Sequence, residues 1–223
     1  MGKFEEFVKG KRIALVGPAA TLRGQRMGDF IDGHDIVVRL NHAWPLPQAL
    51  AADIGRRTDV IYHNMNFRDQ KLKRKTILQM AEDGVKWMVS THPASEARFR
   101  HRLRKFQKLN RGALHFRALP GWLKARMQKR VKHPNAGIMA IEDLLRFPIQ
   151  HLYVTGFSFY TTGYLEYPNY KPSYAKKAVR HHDQKQNKSY LLRLIRRDPR
   201  LEVDPVIAQL LTEHAIRKKR WKR

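Results

Sequence analysis

Short apolar runs alternate along this chain with longer segments in which apolar residues recur every three or four positions. A continuous apolar run of about four to eight residues is typical of a strand that is covered on both faces of a parallel sheet. Six such runs predict strands, at Arg12–Val16, Asp35–Leu40, Asp59–Tyr62, Lys86–Ser90, Leu114–Ala118 and His151–Thr155.

Helical periodicity marks five other segments. They are Lys73–Asp83, Ser95–Leu109, a segment that begins at Pro120 and repeats at Leu123, Met127 and Val131, Gly137–Phe147, and Val206–Lys219. Strands that alternate with helices predict an α/β fold, here a three-layer sandwich with a mostly parallel central sheet flanked by helices, as in Rossmann-like proteins. Because the sequence has no internal repeat and no linker, we expect a single domain over residues 1–223.

Polar and small residues follow several of the predicted strands. In an open α/β sheet, ligands bind at the carboxyl ends of the strands. Asn135-Ala136-Gly137 begins a predicted helix instead, where free backbone N–H groups favour an anion or a ribose hydroxyl. Each position is by itself an ordinary turn or cap, so only the set indicates a site. The strand-end segments are Gly17–Ala20, Arg39–Asn41, His63-Asn64 and Gly156–Tyr160.

The composition adds one unusual number. Lys and Arg total 45 against 19 Asp and Glu, a net charge of +26 that concentrates in residues 98–132 and in the tail at 215–223. Such an excess attracts polyanions, and anionic membranes and nucleic acids are the usual ones. The chain has no cysteine, which excludes disulfides and favours a reducing compartment. Since no signal-peptide core and no membrane-span pattern are found, we expect a cytoplasmic protein.

Residues 11–64 resemble the large sialylmotif of the sialyltransferase family, family twenty-nine of the glycosyltransferases. That motif has an apolar strand, V-G-N-S, a polar loop, and then I-D-x-H-D-x-V-x-R-x-N-x-A. The matching residues are Val16, Gly17, Leu22, Arg23, Gly28, Ile31, Asp32, His34, Asp35, Val37, Arg39, Asn41 and Ala43. The following "ADIGRRT" is similar to the family's D-V-G-x-(K/R)-T continuation.

Two further segments resemble family motifs, in the family's order. Residues 133–160, which contain "HPNAGIMAIEDLLRFPIQHLYVTGFSFY", resemble the small sialylmotif, in which P-S-T-G leads into a helix and a strand ends in Y-G-F. Residues 180–187, "RHHDQKQN", are similar to a short late motif in which a His is followed by Asp and then by Glu.

The resemblance implies a variant GT-A fold and an inverting transferase that uses a CMP-activated 2-keto sugar acid. It implies no metal and no other cofactor, because the CMP-sugar is a substrate. Carried over residue by residue, His182 is the general base. The donor-binding residues are Gly17, Pro18, Ala19, Asn41, Asn135, Ala136, Gly137, Gly156 and Phe157. Candidate phosphate or acceptor contacts are Arg39, His63, Asn64, Tyr160, Tyr164 and His181.

The residues themselves agree with this chemistry. An imidazole that titrates near neutral pH can take the proton of a sugar hydroxyl. A helix start and tyrosines can stabilise a departing phosphate. The Asp-x-Asp triplet typical of metal-dependent sugar transferases is absent. The expected partners are the CMP-activated sugar acid, a glycan or glycolipid acceptor such as lipopolysaccharide, and an anionic membrane, with the protein peripheral on the inner face.

The sequence also departs from the family pattern. Pro18 replaces an Asn, Asn135-Ala136 replace Ser-Thr, and Gln186 and Asn187 stand where the late motif has its acid. The third family motif has no clear counterpart, and the tyrosines at 160, 164, 167, 170 and 174 are the candidates. The two family cysteines align with Ile13 and Ile149, which we predict to pack side by side.

Several alternatives remain open at this point. His181 is an alternative base, and His181-His182-Asp183 is a weak metal candidate. For Arg39, an ion pair with Asp32 or Asp59 is preferred over ligand contact. Both sialic acid and Kdo fit as the donor sugar. The rival functions are a basic nucleic-acid-binding protein and a family member that binds glycan without catalysis.

Overall fold

Seven parallel strands form one sheet in the computed structural model, which describes residues 2–66, 73–170 and 179–220. The strands are β1 (Arg12–Val16), β2 (Ile36–Leu40), β3 (Val60–His63), β4 (Trp87–Ser90), β5 (His115–Ala118), β6 (His151–Thr155) and β7 (Leu201–Val203). The six predicted strands are confirmed. The sequence offers little sign of β7, because only three residues form it and the middle one is Glu202.

The strand order is β5-β4-β3-β2-β1-β6-β7. From β1 the chain adds strands outward to β5 on one side, and it then crosses over to place β6 and β7 on the other. Val16 at the end of β1 is therefore paired with Arg39 on one side and with Thr155 on the other. A reversal of strand order beside one strand opens a crevice at the carboxyl ends, which is where open α/β sheets bind ligands.

Nine helices of the described residues surround the sheet. They are α1 (Lys3–Val8), α2 (Gly28–Asp32), α3 (Ala51–Ile54), α4 (Arg74–Glu82), α5 (Ala97–Asn110), α6 (Gly121–Gln128), α7 (Ala136–Leu145), α8 (Gln184–Arg197) and α9 (Pro205–Arg220). All five predicted helices are present with small shifts of their ends. The sequence analysis missed α8, whose apolar residues Tyr190, Leu191 and Leu194 follow a first turn that is entirely polar.

Helices cover both faces of the sheet, which confirms the three-layer α/β sandwich. Successive residues of β1 point to opposite faces, since Leu15 belongs to one apolar cluster and Ala14 to another. The cluster on the first face includes side chains of α1, α6, α7, α8 and α9, namely Phe4, Leu123, Ile138, Leu191 and Ile207. The second face is covered by α2, α3, α4 and α5 through Ile31, Ile54, Ile77 and Phe106.

Ile13 and Ile149, which align with the family's cysteines, are both buried members of the cluster on the first face. Their burial places apolar side chains where the family has a covalent link, and their direct contact stays a prediction. Within the described ranges, no helix is both long and apolar enough to cross a membrane.

Two buried carboxylates fix α7 to the sheet and to the neighbouring helices. Asp143 accepts hydrogen bonds from the Tyr62 hydroxyl at 2.7 Å and from Arg117 Nη2 at 2.9 Å. Burial alone raises the pKa of Asp143, but its hydrogen bonds with Arg117 reverse this effect and hold the pKa below the usual range. The neighbouring Glu142 is bound by Arg126 and Arg197. Because both carboxylates have cationic partners, α7 can carry two buried acidic side chains and still pack against the neighbouring elements.

Candidate functional site

A cavity of about 560 Å³ opens at the carboxyl ends of the strands. Its walls come from the segments that follow β1, β2, β3, β4 and β6 and from α5, α6 and α7. The sixteen predicted site residues lie in these walls, with the exception of Gly17, Arg39 and His63. The structure thus brings Pro18 together with Asn135 and His182, both of which lie more than a hundred residues further along the chain.

Phe157, directly after β6, forms part of the cavity wall and packs against two glycines. A Cβ atom at Gly17 would lie 2.3 Å from the Gly156 carbonyl oxygen and 2.4 Å from the Phe157 ring. A Cβ atom at Gly137 would lie 2.3 Å from Cε2 of the same ring. Gly17 does not line the cavity itself. Because it has no Cβ, β1 and β6 can approach each other and Phe157 closely enough to form the cavity wall.

The start of α7 lies in the wall beside this ring. The side chain of Asn135 caps the helix by accepting a hydrogen bond from the Ile138 N–H at 2.9 Å. Among the described residues, the N–H groups of Ala136 and Gly137 have no hydrogen-bond partner. These two donors and the positive end of the helix dipole make this end of α7 suitable for an anion.

Asn41 and Asn64 connect the ends of β2 and β3. Asn41 has a left-handed backbone with φ of 52°, and its Oδ1 accepts a hydrogen bond from the Asn64 N–H at 2.9 Å. Asn64 Oδ1 in turn accepts from the Asn66 N–H at 2.9 Å. With its oxygen held in this way, the Asn41 side chain presents its NH₂ group as the donor for a ligand.

His182 has one ring nitrogen fixed by the protein. Its Nδ1 lies 2.9 Å from the His133 carbonyl oxygen, and because a carbonyl only accepts, Nδ1 carries the proton. The lone pair of the neutral ring is then on Nε2. The ring is parallel to that of Tyr160, with centroids 5.8 Å apart and planes 9° apart. Burial lowers the pKa of His182 below its usual 6.5, although the hydrogen bond to the His133 carbonyl partly opposes this effect, so the neutral imidazole predominates at pH 7.

Asn187, where the family's acid is absent, links the imidazole to the start of α7. This buried side chain donates from Nδ2 to the His133 carbonyl at 3.4 Å and to the Asp183 carbonyl at 2.7 Å. Its Oδ1 accepts from the Asn135 N–H at 3.1 Å. A carboxylate cannot donate to two carbonyl oxygens, and this explains an amide at the position.

Arg39 does not lie in the cavity wall. On β2 its side chain alternates with Val38 and Leu40, so it points to the other face of the sheet and is fully buried. It donates to the carbonyl oxygens of Ile54 and Arg57 and to Thr58 Oγ1. Among the described residues, Arg39 forms no direct ion pair with Asp32 or Asp59. Asp59 is bound by Arg57 and Lys86, and Asp32 by backbone N–H groups, so the two carboxylates act on Arg39 only at longer range.

His63 is also outside the wall, buried beneath it. Its Nδ1 accepts a hydrogen bond from the Met65 N–H at 2.8 Å. Burial holds the pKa of His63 well below its usual range, with His42 and His92 adding to the effect. A neutral, buried ring with this contact has a structural role, and the neighbouring His42 lines the cavity instead.

Tyr160, Tyr164 and Tyr170 line the cavity. Burial raises the pKa of Tyr160 and of Tyr164 well above the usual range, so both hydroxyl groups are protonated and can donate. Tyr167 is buried beside Arg39, away from the cavity, and Tyr174 lies outside the described residues.

A second part of the cavity wall was not predicted. We call this part the α6 wall, and it is formed by His92, Phe99, Arg102 and Lys124. The part that we call the α7 wall is formed by Pro18, Ala19, 135–137, Gly156 and Phe157. Lys124 is only 6% exposed, donates to Glu96, and has its Nζ 3.0 Å from His92 Nδ1. The His92 ring stacks on Phe99 with centroids 3.4 Å apart. A lysine within a basic sequence usually faces solvent, so the pattern offers no sign of a buried one.

His181 and Asp183 complete the late segment. His181 is exposed at the edge of the cavity, and Asp183 caps α8 by accepting from the Gln186 N–H at 2.8 Å. In the part of the chain that the structure describes, no group of three or more His, Asp or Glu residues is arranged to hold a metal ion.

Comparisons with known proteins agree with this geometry. The model of a family described as "Glycosyltransferase family 29 (sialyltransferase)" matches residues 6–198. A mammalian sialyltransferase, solved in complex with Gal-beta-1-3GalNAc-ortho-nitrophenol, matches with a TM-score of 0.55 at 17% identity, over 90% of this chain and 71% of that one. A second mammalian sialyltransferase structure matches with a TM-score of 0.54 at 18% identity, over 89% and 70% of the two chains. No curated protein matches the chain significantly.

Proposed function

The chain belongs to glycosyltransferase family 29, the sialyltransferase family, and from this premise we propose that it transfers a 2-keto sugar acid from a CMP-activated donor to a glycan hydroxyl. One observation carries the proposal. The imidazole of His182 lies in the same cavity as the free N–H groups at the start of α7, and Asn187 connects the two. A base and an anion site in one cavity are what a transfer from a phosphate leaving group requires.

The donor binds along the α7 wall. Its phosphate accepts hydrogen bonds from the N–H groups of Ala136 and Gly137, where the helix dipole favours negative charge. The NH₂ group of Asn41 and the hydroxyl groups of Tyr160 and Tyr164 are further donors in the same cavity. As the bond between the anomeric carbon and the phosphate breaks, these groups stabilise the charge that develops on CMP.

The acceptor is activated by His182. Nε2 accepts the proton of the acceptor hydroxyl while its oxygen attacks the anomeric carbon from the side opposite to the phosphate. One C–O bond forms, the C–O bond to the phosphate breaks, CMP leaves with the electron pair, and the configuration inverts. His133 holds the proton of Nδ1 throughout, so the ring keeps the tautomer with a basic Nε2.

The proposed reaction needs no metal. The leaving phosphate is neutralised by backbone and side-chain donors, and the sequence has no Asp-x-Asp triplet to hold a cation. Sialic acid and Kdo both carry a carboxylate on the anomeric carbon and both leave CMP, so the same donor site fits either sugar.

We further propose that the protein docks from the cytoplasm on an anionic membrane face that carries its glycolipid acceptor. Helix α5 contains six Lys or Arg residues and no Asp or Glu, and Arg100, Arg104, Lys105 and Lys108 are exposed. Like charges one turn apart repel each other, so the helix is stabilised by an external polyanion. Trp122 on α6 is 57% exposed and has the guanidinium carbon of Arg126 5.4 Å from its ring centroid, as suits a lipid interface.

A CMP-release assay tests the proposed activity. Purified protein is incubated with CMP-sialic acid or CMP-Kdo, with and without a glycolipid acceptor and with and without EDTA, and free CMP is measured. We expect one of the two donors to release CMP when the acceptor is present. EDTA should not reduce this release. Release that EDTA abolishes would refute the metal-free mechanism, and no release from either donor would leave a glycan-binding family member without catalysis.

Vesicle binding tests the docking surface. We expect the protein to sediment with vesicles that contain phosphatidylglycerol and to bind weakly to vesicles of phosphatidylcholine alone. Replacement of Arg100, Arg104 and Lys108 by Gln should reduce the sedimentation with phosphatidylglycerol. Binding that ignores anionic lipid would contradict it. Duplex DNA is the competing polyanion, and nanomolar, salt-dependent DNA binding without CMP release would favour a nucleic-acid-binding protein.

A further inference from the structure

The α6 wall contains two cationic side chains that the proposed donor site does not use, and one of them, Lys124, is paired with Glu96. Among the described lining residues of the cavity there is no Asp or Glu, while Arg102 and Lys124 are cationic. Lys124 is buried and its ammonium group has three N–H donors. Its hydrogen-bond partners among the described side chains are Glu96 and His92, so one N–H is left for a ligand in the cavity.

The position of Lys124 is set by a rigid arrangement of neighbours. Glu96 and His92 hold the ammonium group, and His92 is itself stacked on Phe99 with ring planes 11° apart. Phe99 also lies under the ammonium group, whose Nζ is 5.7 Å from the ring centroid. A cation held in this way is preorganised for an anion, because little side-chain entropy is lost on binding.

Different parts of the fold carry this cation and the proposed phosphate site. Lys124 lies on α6 and its partner His92 follows β4, whereas the free N–H groups belong to the start of α7, beside the ends of β1 and β6. In the proposed donor, the carboxylate is attached to the carbon that carries the phosphate, so both anionic groups lie together at the α7 wall. An anion at Lys124 is then a group of the other substrate.

We propose that Lys124, held by Glu96 and His92, binds a carboxylate or phosphate group of the acceptor glycan, and that the enzyme therefore selects acidic acceptors. This inference rests on the proposed function. Helix α6 connects the two parts of the proposed acceptor site. Lys124 lies in its middle, and Gln128, which also lines the cavity, ends it five residues before His133. The acceptor hydroxyl then reaches His182 while its acidic group reaches Lys124.

The test compares three acceptors that share one core oligosaccharide: the neutral form, a form with a terminal uronic acid, and a form with a phosphate monoester. CMP release is measured with the donor that the enzyme uses. The variants are Lys124→Met, Lys124→Met/Glu96→Gln, which removes both charges of the buried pair, and Lys129→Met as a matched control. Lys129 is exposed at the end of the same helix and does not line the cavity.

For the unmodified enzyme we expect transfer to an acidic acceptor to be faster than transfer to the neutral one, and the preferred form identifies the anion. Both Lys124 variants should raise the KM for that acceptor about tenfold and leave the donor KM unchanged, as expected for the loss of a charged hydrogen bond. Lys129→Met should change neither.

Equal use of neutral and acidic acceptors would overturn the inference, as would a Lys124 effect on the donor KM alone. The double variant keeps the test valid if Lys124→Met unfolds the protein by leaving Glu96 unpaired. If no acceptor and no donor supports CMP release, the proposed function fails and this inference falls with it. Release without acceptor preference overturns the inference alone.

Discussion

The two walls of the cavity are built in different ways. The α7 wall is set by backbone geometry: glycines allow Phe157 to approach, and a capped helix start presents N–H groups. The α6 wall is set by side chains, namely the Lys124–Glu96 ion pair and the His92–Phe99 stack. Backbone geometry tolerates few residue types at each position, whereas a side-chain cluster can be replaced without moving the chain. We infer that the α7 wall binds the CMP-sugar and that the α6 wall determines which acceptor is used.

His182→Ala is expected to have the largest effect, because it removes the proposed general base. General-base catalysis contributes roughly 10²- to 10⁴-fold, so kcat should fall by about that factor while the donor KM stays nearly unchanged. Steady-state CMP release measures both constants.

The matched control for this prediction is His181→Ala. His181 also lines the cavity but is exposed and adjacent to the proposed base. If His181→Ala abolished activity and His182→Ala did not, the two residues would exchange roles. If neither variant mattered, the cavity would have no histidine base.

Gly137→Ala should break the α7 wall. The new Cβ would lie 2.3 Å from the Phe157 ring, and overpacking of this kind costs about 1–3 kcal/mol. We expect a lower melting temperature and weaker CMP binding, measured by calorimetry. The second change in Gly137→Ala/Phe157→Leu should restore part of both.

Gly163→Ala is the control for this pair, since nothing lies within 4 Å of a Cβ at Gly163. It should leave melting temperature and CMP binding as they are. Equal effects of the Gly137 and Gly163 variants would show that close packing against Phe157 is not what builds the wall.

Asn187→Asp should lower kcat, but by less than His182→Ala does. The carboxylate cannot donate to the His133 and Asp183 carbonyl oxygens, and loss of such hydrogen bonds costs about 1–3 kcal/mol, or roughly tenfold or more in kcat. As a positioning residue, Asn187 should also affect titration: the new negative charge should raise the pKa of His182 and move the pH profile of kcat to higher pH.

Gln186→Glu is the matched control, because its carboxylate can still accept the Lys132 N–H bond that Gln186 accepts at 2.8 Å. This change should alter kcat by about twofold at most. A lower kcat for Asn187→Asp with an unshifted pH profile would mean that Asn187 supports the fold without orienting the base.

A change of pH near neutrality should have a smaller effect on activity than any of these substitutions. Since burial lowers the pKa of His182 below 6.5, the neutral form of the proposed base predominates at pH 7 and is lost as the pH falls through the lowered pKa. A profile of kcat/KM should therefore be flat from pH 7 to 8 and decline on the acid side with an apparent pKa below 6.5. A decline that begins above this value, or activity that rises on acidification, would be inconsistent with His182 as the base.

The sequence predicts the α7 wall better than the α6 wall for a physical reason. Apolar runs define β1 and β6, and the small residues after them and the cap before α7 match the family motifs as a set, so Pro18, Asn135 and Phe157 are candidates from the sequence. The direction of a side chain on a strand is harder to judge from a motif. Arg39 lies within the family motif, yet it points to the opposite face and binds backbone carbonyls.

The α6 wall could not be found in the same way. Lys124 lies in a segment rich in Lys and Arg, where position alone does not distinguish a buried ammonium from a solvated one. Its partner Glu96 is 28 residues away, and only the fold brings the pair together. The position of α8 was missed because its first turn is polar, although that turn supplies Asn187.

A crystal structure of the protein with CMP would show where the nucleotide binds in the cavity. We expect the CMP phosphate to lie within hydrogen-bonding distance of the Ala136 and Gly137 N–H groups. His182 Nε2 should face the open part of the cavity, toward the α6 wall. CMP bound on the exposed face of α5, or in the cavity with its phosphate at Lys124, would contradict the account.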